Sequence, residues 1–492
     1  MKITRIVVAL MLVASIAAAQ QVSPPPPAPP RPATVPQPVT VPQPVEKTLS
    51  NGLRVIVVSK HDVPLVSARL LVKTGSEEDA PSFEGMAKLT AALVTQGTKT
   101  RTAEQIARGV EALGATLQSD AGWDYSQVDV NVMTSNFAKA MGFVADVVRN
   151  PVFKNEEIER LRAQSIDSVR VALQSPLSLA RYVASRVVFG GEKYGHSIAG
   201  TPESLERITR EQIVQFHNRY YRPENSMLVV AGDVKAETVF TQAEQLFGSW
   251  QRTPGVMGQI TDVMRPRAQK GRVVVIDYPE AGQAAVVVTG RGLKRTDPKY
   301  YAAIVANSIL GGGYSARLNQ EIRIKRGLSY GAYSNFDLRR DVGPFSATTQ
   351  TKNESAAEVA TIIIDELGRL GTAEINEAEL IPRKAVLTGG FARSLETSSG
   401  IVDSLSTLAL YGISLDEINR YVSGVQAVAG PAVREFASGN VGGERVSVVV
   451  VGDASKFIEP LRKRFGQVEV IPVAELDLDR TELRKANSSS SK

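Results

Sequence analysis

The sequence predicts an α+β fold built twice: two homologous halves, each a largely antiparallel sheet with helices packed on it. Three observations predict it. The first is an internal repeat. "ITREQIVQFHNRYYRPENSMLVVAGDV" reads as a helix, a turn and a buried strand reaching Gly232-Asp233. "VAGPAVREFASGNVGGERVSVVVVGDA" repeats that order and reaches Gly452-Asp453. The offset of about 220 residues is far too long for a solenoid unit and has the size of a whole domain. The second is the set of β-branched alternating runs, such as "LRVIVVSK" and "SQVDVNVMT", which read as strands. The third is that helical stretches mix with these strands without strict βαβ alternation, which points away from a parallel α/β sheet.

Taken in order, the chain opens with "MKITRIVVALMLVASIAAAQ". Lys2 and Arg5 precede the apolar run Ile6 to Ile16, and Ala17 and Ala19 give a small-x-small cleavage pattern. This predicts a signal peptide over 1–19, and so an exported, periplasmic or secreted protein. Residues 20–45 follow as a linker. Its stretch 22–45 holds eleven prolines, the composition of a stiff polyproline-II spacer. The first half is placed at 46–260 and the second at 261–475, with a disordered tail over 476–492. Within the first half, "TAEQIARGVEALGA" reads as a helix with Thr102 as its N-cap and Gly114 near its end. "MGFVADVVRNPVFKNEEIERLRAQSIDSV" and "ATIIIDELGRLGTAEINEAELIPRKAVLT" share a helix, break, helix order across the halves.

Composition narrows the function. The net charge of +6 is small for 492 residues, and no basic stripe with aromatic platforms appears, so no nucleic-acid partner is expected. After the leader, no segment of about 18 uncharged apolar residues occurs, so no membrane span is expected in the mature chain. The chain has no cysteine and only three histidines, His61, His196 and His217, which read as surface or capping residues. None lies three to five residues from another, so no histidine pair suited to zinc can be written. Gly311-Gly312-Gly313 matches neither a dinucleotide fingerprint nor a P-loop. Gly327-Leu328-Ser329-Tyr330-Gly331 is formally the G-x-S-x-G elbow of serine hydrolases. That elbow needs a strand before the serine and a helix after it. Here a charged, helix-compatible "NQEIRIKR" precedes it and a strand-like "GAYSNFDL" follows, so Ser329 reads as a small turn residue.

Several segments together carry a resemblance: "NGLRVIVVSKHDVPLVSARLLVKTGSEEDAPSFEGMAKLTAALVTQGT", "NPVFKNEEIER", "YYRPENSMLVVAGDV" and "ILGGGYSARLNQEIRIKRGLSYGAYS". Over about residues 46–475 the chain resembles the pitrilysin/insulinase family of zinc metallopeptidases, particularly the short bacterial members and the mitochondrial processing peptidase subunits. The resemblance implies two homologous halves forming part of a clamshell. It also implies a zinc site, H-x-x-E-H, on the helix after the first strands, with the Glu acting as general base on zinc-bound water. The frame of that helix is kept, but its chemistry is not. Lys88 and Ala92 stand at the His positions and Ala91 at the Glu position. An ammonium offers no lone pair and a methyl group no polar atom. The third ligand position falls near Gln164 to Asp167, where only Asp167 is acidic. Residues 85–96 are instead expected to form a core helix with Met86, Leu89 and Leu93 inward.

What the first half lacks, the second retains. The family's L-R-x-x-x-G-L-x-Y motif reads here Ile322-Arg323-Ile324-Lys325-Arg326-Gly327-Leu328-Ser329-Tyr330. The resemblance implies that Arg323 anchors substrate and Tyr330 stabilises an oxyanion. Arg323 is expected near the end of a helix, Gly327 at its left-handed cap, and Tyr330 at the start of a strand. Gly311, Gly312 and Gly313 are candidate substrate-binding residues, since a glycine run admits a peptide backbone at close range or lets the chain turn. The expectation is a catalytically incomplete subunit with no cofactor of its own. Zinc would reside in a partner bearing H-x-x-E-H, and a peptide substrate would lie extended at a sheet edge. The alternative is a non-enzymatic, periplasmic peptide-binding or scaffold protein of the same fold.

Overall fold

The computed structural model describes residues 40–251, 271–442 and 445–485. The expected leader over 1–19, the linker up to residue 39, the boundary at 260/261 and residues 486–492 lie outside these. The first sheet is built from β1 (Val45–Thr48), β2 (Arg54–Ser59), β3 (Leu65–Val72), β4 (Thr116–Ala121), β5 (Ser126–Met133) and β6 (Ser226–Gly232). Its order is β1-β2-β6-β3-β5-β4. The second comprises β7 (Val273–Asp277), β8 (Ala284–Arg291), β9 (Ala332–Phe336), β10 (Pro344–Thr351), β11 (Val446–Gly452) and β12 (Glu469–Pro472). Its order is β12-β7-β11-β8-β10-β9. Five strands correspond in order, with the two Gly-Asp strands, β6 and β11, at equivalent places; the outer strands differ, β1 being the first of its half and antiparallel to its neighbour, β12 the last of its half and parallel. Both sheets are mixed. β2 runs parallel to β6, and β7 runs parallel to both β11 and β12; the other pairings are antiparallel.

Strand side chains alternate between faces, and here both faces are covered. In β2, Val55 and Val57 join the core of the first half, while Ile56 and Val58 face the other way. What covers that second face comes from the other half. The helix Ser398–Leu410 lays Ile401, Val402, Leu405 and Leu408 against Ile56, Val58, Leu71, Met227 and Val229. The exchange is reciprocal. The helix Pro176–Phe189, from the first half, packs Leu179, Ala180, Val183 and Val187 onto Val274, Ile276, Ala285, Val287, Val449 and Val451 of the second sheet. Each buried aliphatic side chain contributes about 1.5–3 kcal/mol, so these two clusters bind the halves into one body. Both exchanged helices start at a hydroxyl cap: Ser175 Oγ accepts from Ser178 N–H, and Thr397 Oγ1 from Gly400 N–H.

A polar latch adds to this. Arg340, between β9 and β10, donates to Glu77 Oε1 (3.0 Å) and to the carbonyls of Lys73 (2.9 Å) and Asp124 (3.1 Å) in the first half. The buried Asp124 carboxylate accepts from Tyr194 OH (2.6 Å), Tyr411 OH (3.0 Å) and Arg340 N–H (2.7 Å).

Two boundary expectations need correction. The tail is not disordered from residue 476 onward. Leu483 is 0% exposed within the second exchanged cluster. Arg186 Nη2 donates to Leu478 O (2.9 Å) and Thr201 Oγ1 to Asp479 Oδ1 (2.7 Å), so residues 476–485 strap over the first half. The end of the proline-rich stretch, expected as a stiff spacer up to residue 45, packs onto the folded chain from Val41 onward. Val41 is 2% exposed, its N–H donates to Asn419 Oδ1 (2.9 Å), and Val45 opens β1. In both cases an apolar side chain too isolated to form a pattern finds a cavity from a distant element.

Candidate functional site

The degenerate motif sits on the helix Met86–Leu93. Asp79 receives the N–H groups of Gly85 and Ala87 (both 2.9 Å) at its start, where a carboxylate satisfies otherwise orphaned donors. Met86, Leu89 and Leu93 point into the core, as the apolar spacing predicts. Ala91 is fully buried among them. Lys88 lies on the solvent side, and its ammonium pairs with Asp120 Oδ1 of β4 at 2.7 Å. Asp167 is an exposed residue beside Arg170, at 3.6 Å. An ammonium, two methyl groups and an exposed carboxylate beside an arginine do not fit a zinc ion. Among the described residues, no group of three or more His, Asp or Glu is arranged to hold a metal.

Two of the three histidines depart from expectation. His61 is exposed and paired with Asp233 at 2.6 Å. His196 and His217, expected at the surface or as caps, are buried. His217 Nε2 donates to the Val148 carbonyl (2.9 Å), and its ring stacks on Tyr221. Burial pushes both imidazoles down to about 4. Each is held as a neutral, internally bonded ring.

The second half presents its pair from a chain reversal. Arg323 lies in a five-residue π-helical stretch, Gln320–Ile324. Gly327 then takes φ +62°, the left-handed conformation that favours glycine. Gly327 N–H donates to Arg323 O (3.0 Å) and Leu328 N–H to Ile322 O (2.9 Å), closing the end of the helix. Tyr330 does not begin the strand: β9 starts two residues later, at Ala332. Its ring is 88% exposed, and no hydrogen bond from its hydroxyl occurs among the described residues. Arg323 has no carboxylate partner there either; its guanidinium lies 4.8 Å over the Tyr314 ring.

Ser329 pins the turn that carries Tyr330. Its Oγ accepts from Gly331 N–H (3.0 Å), donates to Gly331 O (2.9 Å) and contacts Thr349 Oγ1 (2.7 Å). Thr351 Oγ1 donates to Leu328 O (2.6 Å). A hydroxyl engaged in this way has the role of a turn clamp. Neither the two threonines nor Tyr314 carry a functional signal in the sequence, beyond an aromatic directly after the glycine run.

The glycines divide. At Gly311 a Cβ would lie 2.4 Å from the backbone nitrogen of Ser334, and Gly311 O accepts from Ser334 N–H (3.2 Å). The backbone that approaches Gly311 is therefore the chain's own β9. Gly312 packs against Ser308, while the nearest atom to a Cβ on Gly313 is Arg383 Nη1, 3.9 Å away. Gly311 therefore seals a sheet edge, and of the three only Gly313 has room for a Cβ.

That seal makes the two sheet edges unequal. On β9, the outward N–H groups of Ala332 and Ser334 are taken by Asn319 Oδ1 (3.0 Å) and Gly311 O. On β4, the hairpin bond Gly122 N–H to Tyr125 O (2.8 Å) sets the register with β5. Antiparallel bonding alternates, so Leu117 and Ser119 turn their backbone groups outward. No backbone partner meets them among the described residues. An open edge of this kind can add an extended peptide as a further strand.

Residues 54–201 match the description "Insulinase (Peptidase family M16)" and residues 207–387 match "Peptidase M16 inactive domain". An uncharacterized zinc protease of Mycobacterium leprae is 30% identical over 366 residues, covering 74% of this chain and 82% of its own. One from Streptomyces coelicolor is 25% identical over 411 residues, covering 82% and 88%. The crystal structure of a peptidase M16 inactive domain from Pseudomonas fluorescens superposes with a TM-score of 0.78 at 25% identity, covering 83% of this chain and 98% of that one. A protease from Helicobacter pylori shares the fold, with a TM-score of 0.80 at 21% identity over 84% of this chain and 100% of that one. With both halves matched in order and the duplicated sheets in place, this chain belongs to the insulinase family of peptidases, family M16.

Proposed function

We propose that this chain is the zinc-free subunit of a two-chain, exported peptidase. A partner of the same family carrying H-x-x-E-H supplies zinc, water and general base. This chain supplies Arg323 to hold substrate carbonyls and the Tyr330 hydroxyl to donate to the oxyanion of the tetrahedral intermediate. The observation that carries the reading is Tyr330: a large aromatic residue at 88% exposure, on a turn clamped by Ser329 and capped by Gly327, with no hydrogen bond from its hydroxyl among the described residues. The lost donor set at Lys88, Ala91 and Ala92 supports a division of labour between chains. The open edge of β4 supports a peptide ligand. Export rests on the basic and apolar pattern of residues 1–19.

The test measures cleavage of a quenched fluorogenic peptide, and bound zinc, for this chain, for its co-purifying partner and for the mixture. Chelator-sensitive cleavage by the mixture alone is expected. Tyr330→Phe should lower the mixture's kcat by about 100- to 1,000-fold, the usual effect of deleting an oxyanion donor, with the fold unchanged. Chelator-sensitive cleavage by this chain alone would overturn the proposal. A second reading, a non-enzymatic peptide-binding protein, is favoured by the same open β4 edge. It predicts that the chain binds the labelled peptide while no mixture cleaves it.

A further inference from the structure

Tyr314 stands directly after the glycine run and has no part in the family motif described above. Its ring is 59% exposed, yet its position is closely determined. Gly311 is fastened to β9 through Ser334 N–H, and Gly312 N–H donates to Asn307 O (2.9 Å) at the end of helix Tyr300–Leu310. The loop leaves this anchor, turns at Gly313 and re-enters a helix at Arg317. There the Arg317 guanidinium forks onto both oxygens of Glu379, at 2.7 Å each. Ala316 N–H returns to Gly313 O (3.1 Å). The loop is thus tied at both ends, and Tyr314 projects from it under the Arg323 guanidinium, 4.8 Å from Cζ to ring centroid.

Arg323 needs such a support. Its neighbours Lys325 and Arg326 both take Glu321, and no carboxylate is left for Arg323 among the described residues. An unpaired arginine at the surface samples many rotamers, and each must be given up when it binds a carbonyl. A ring face holds the guanidinium by attraction to its π cloud while leaving all five N–H donors free. A carboxylate would occupy two of them. We propose that Tyr314 is a positioning residue. It pre-orients Arg323 for a peptide carbonyl without consuming its donors, and the glycine run exists to place it there. This rests on the reading of Arg323 as a substrate anchor.

The experiment has two arms. In the first, the full chain is prepared with isotope-labelled arginine, and the Arg323 Nε–H resonance is assigned by its loss in Arg323→Lys. An upfield ring-current displacement is expected, retained in Tyr314→Phe and lost in Tyr314→Leu. A resonance unmoved by Tyr314→Leu overturns the contact. In the second, the complex with the co-purifying zinc subunit cleaves the quenched peptide. Tyr314→Leu should raise KM about 2- to 5-fold, the range of an exposed cation–π contact, with kcat unchanged. Tyr314→Phe should match the parent. If Arg323→Ala changes KM and Tyr314→Leu does not, the positioning role is wrong. If Arg323→Ala itself changes nothing, the anchor reading fails, and the first arm still decides the contact.

Discussion

Truncating Leu405 to alanine should loosen the half of the protein to which Leu405 does not belong. Leu405 lies on helix Ser398–Leu410 of the second half, fully buried against Ile56, Val58 and Met227 of the first sheet. Leu405→Ala removes three carbons, worth about 2.4 kcal/mol in transfer at 0.8 per methylene. The strands beneath cannot close the gap, because β2, β3 and β6 are held from their other face by the first core. A cavity term therefore adds, and the total should reach about 3–4 kcal/mol, within the 2–5 range of such truncations. Urea unfolding measures the loss, and native-state hydrogen exchange locates it. Faster exchange is expected in β3 and β6. The reciprocal Val183→Ala should speed exchange in β8 and β11. Loosening confined to the helix's own half in both variants would refute the exchanged-helix account.

Other outcomes follow from single contacts. Gly311→Ala forces a Cβ to 2.4 Å from Ser334 N and should cost about 1–3 kcal/mol in urea unfolding, whereas Gly313→Ala should be silent. Ser329→Ala should lose about 1–2 kcal/mol through the turn, and a fluorophosphonate probe should leave Ser329 unlabelled; covalent labelling would restore the nucleophile reading. His196 and His217 have folded values depressed to about 4 by burial, against about 6.5 unfolded. The unfolded chain therefore binds more protons between those values. Stability should fall as pH drops from about 6.5 to about 4, each ring contributing up to about 1.4 kcal/mol per pH unit. His217→Gln should flatten that slope, as read from unfolding midpoints across the window.

Much of this fold could be read from local signals. The run "LRVIVVSK" became β2, and Thr102 forms the expected N-cap with a full capping box through Gln105. Gly327 takes the left-handed cap, because a helix-to-strand reversal three residues before Tyr330 leaves few other options. The duplication was visible because β6 and β11 keep the same buried, Gly-Asp-terminated pattern. What stayed hidden depends on contacts distant in sequence. Nothing in "SSGIVDSLSTLAL" states that its apolar face belongs to the other half's sheet. Nor does Asn319 announce that its side chain closes the β9 edge. For the candidate site, Arg323 and Tyr330 were legible through a motif, and Lys88, Ala91 and Ala92 through its loss. Tyr314 was not, because a cation over a ring is a spatial relation without a fixed spacing.

The exchange of helices also sets an order on the birth of the molecule. As the chain is made from its N-terminus, helix Pro176–Phe189 emerges long before the strand Val446–Gly452 on which it rests. Until then its apolar face lacks its full native cover, because β11 lies between β7 and β8 in the sheet on which it rests. The first sheet likewise waits with one face bare for helix Ser398–Leu410. The nascent first half is therefore an adhesive intermediate rather than a finished domain, of the kind that shielding by chaperones protects. Neither half can be cut away as a working fragment, and a stalled or truncated chain should aggregate rather than fold to half the structure.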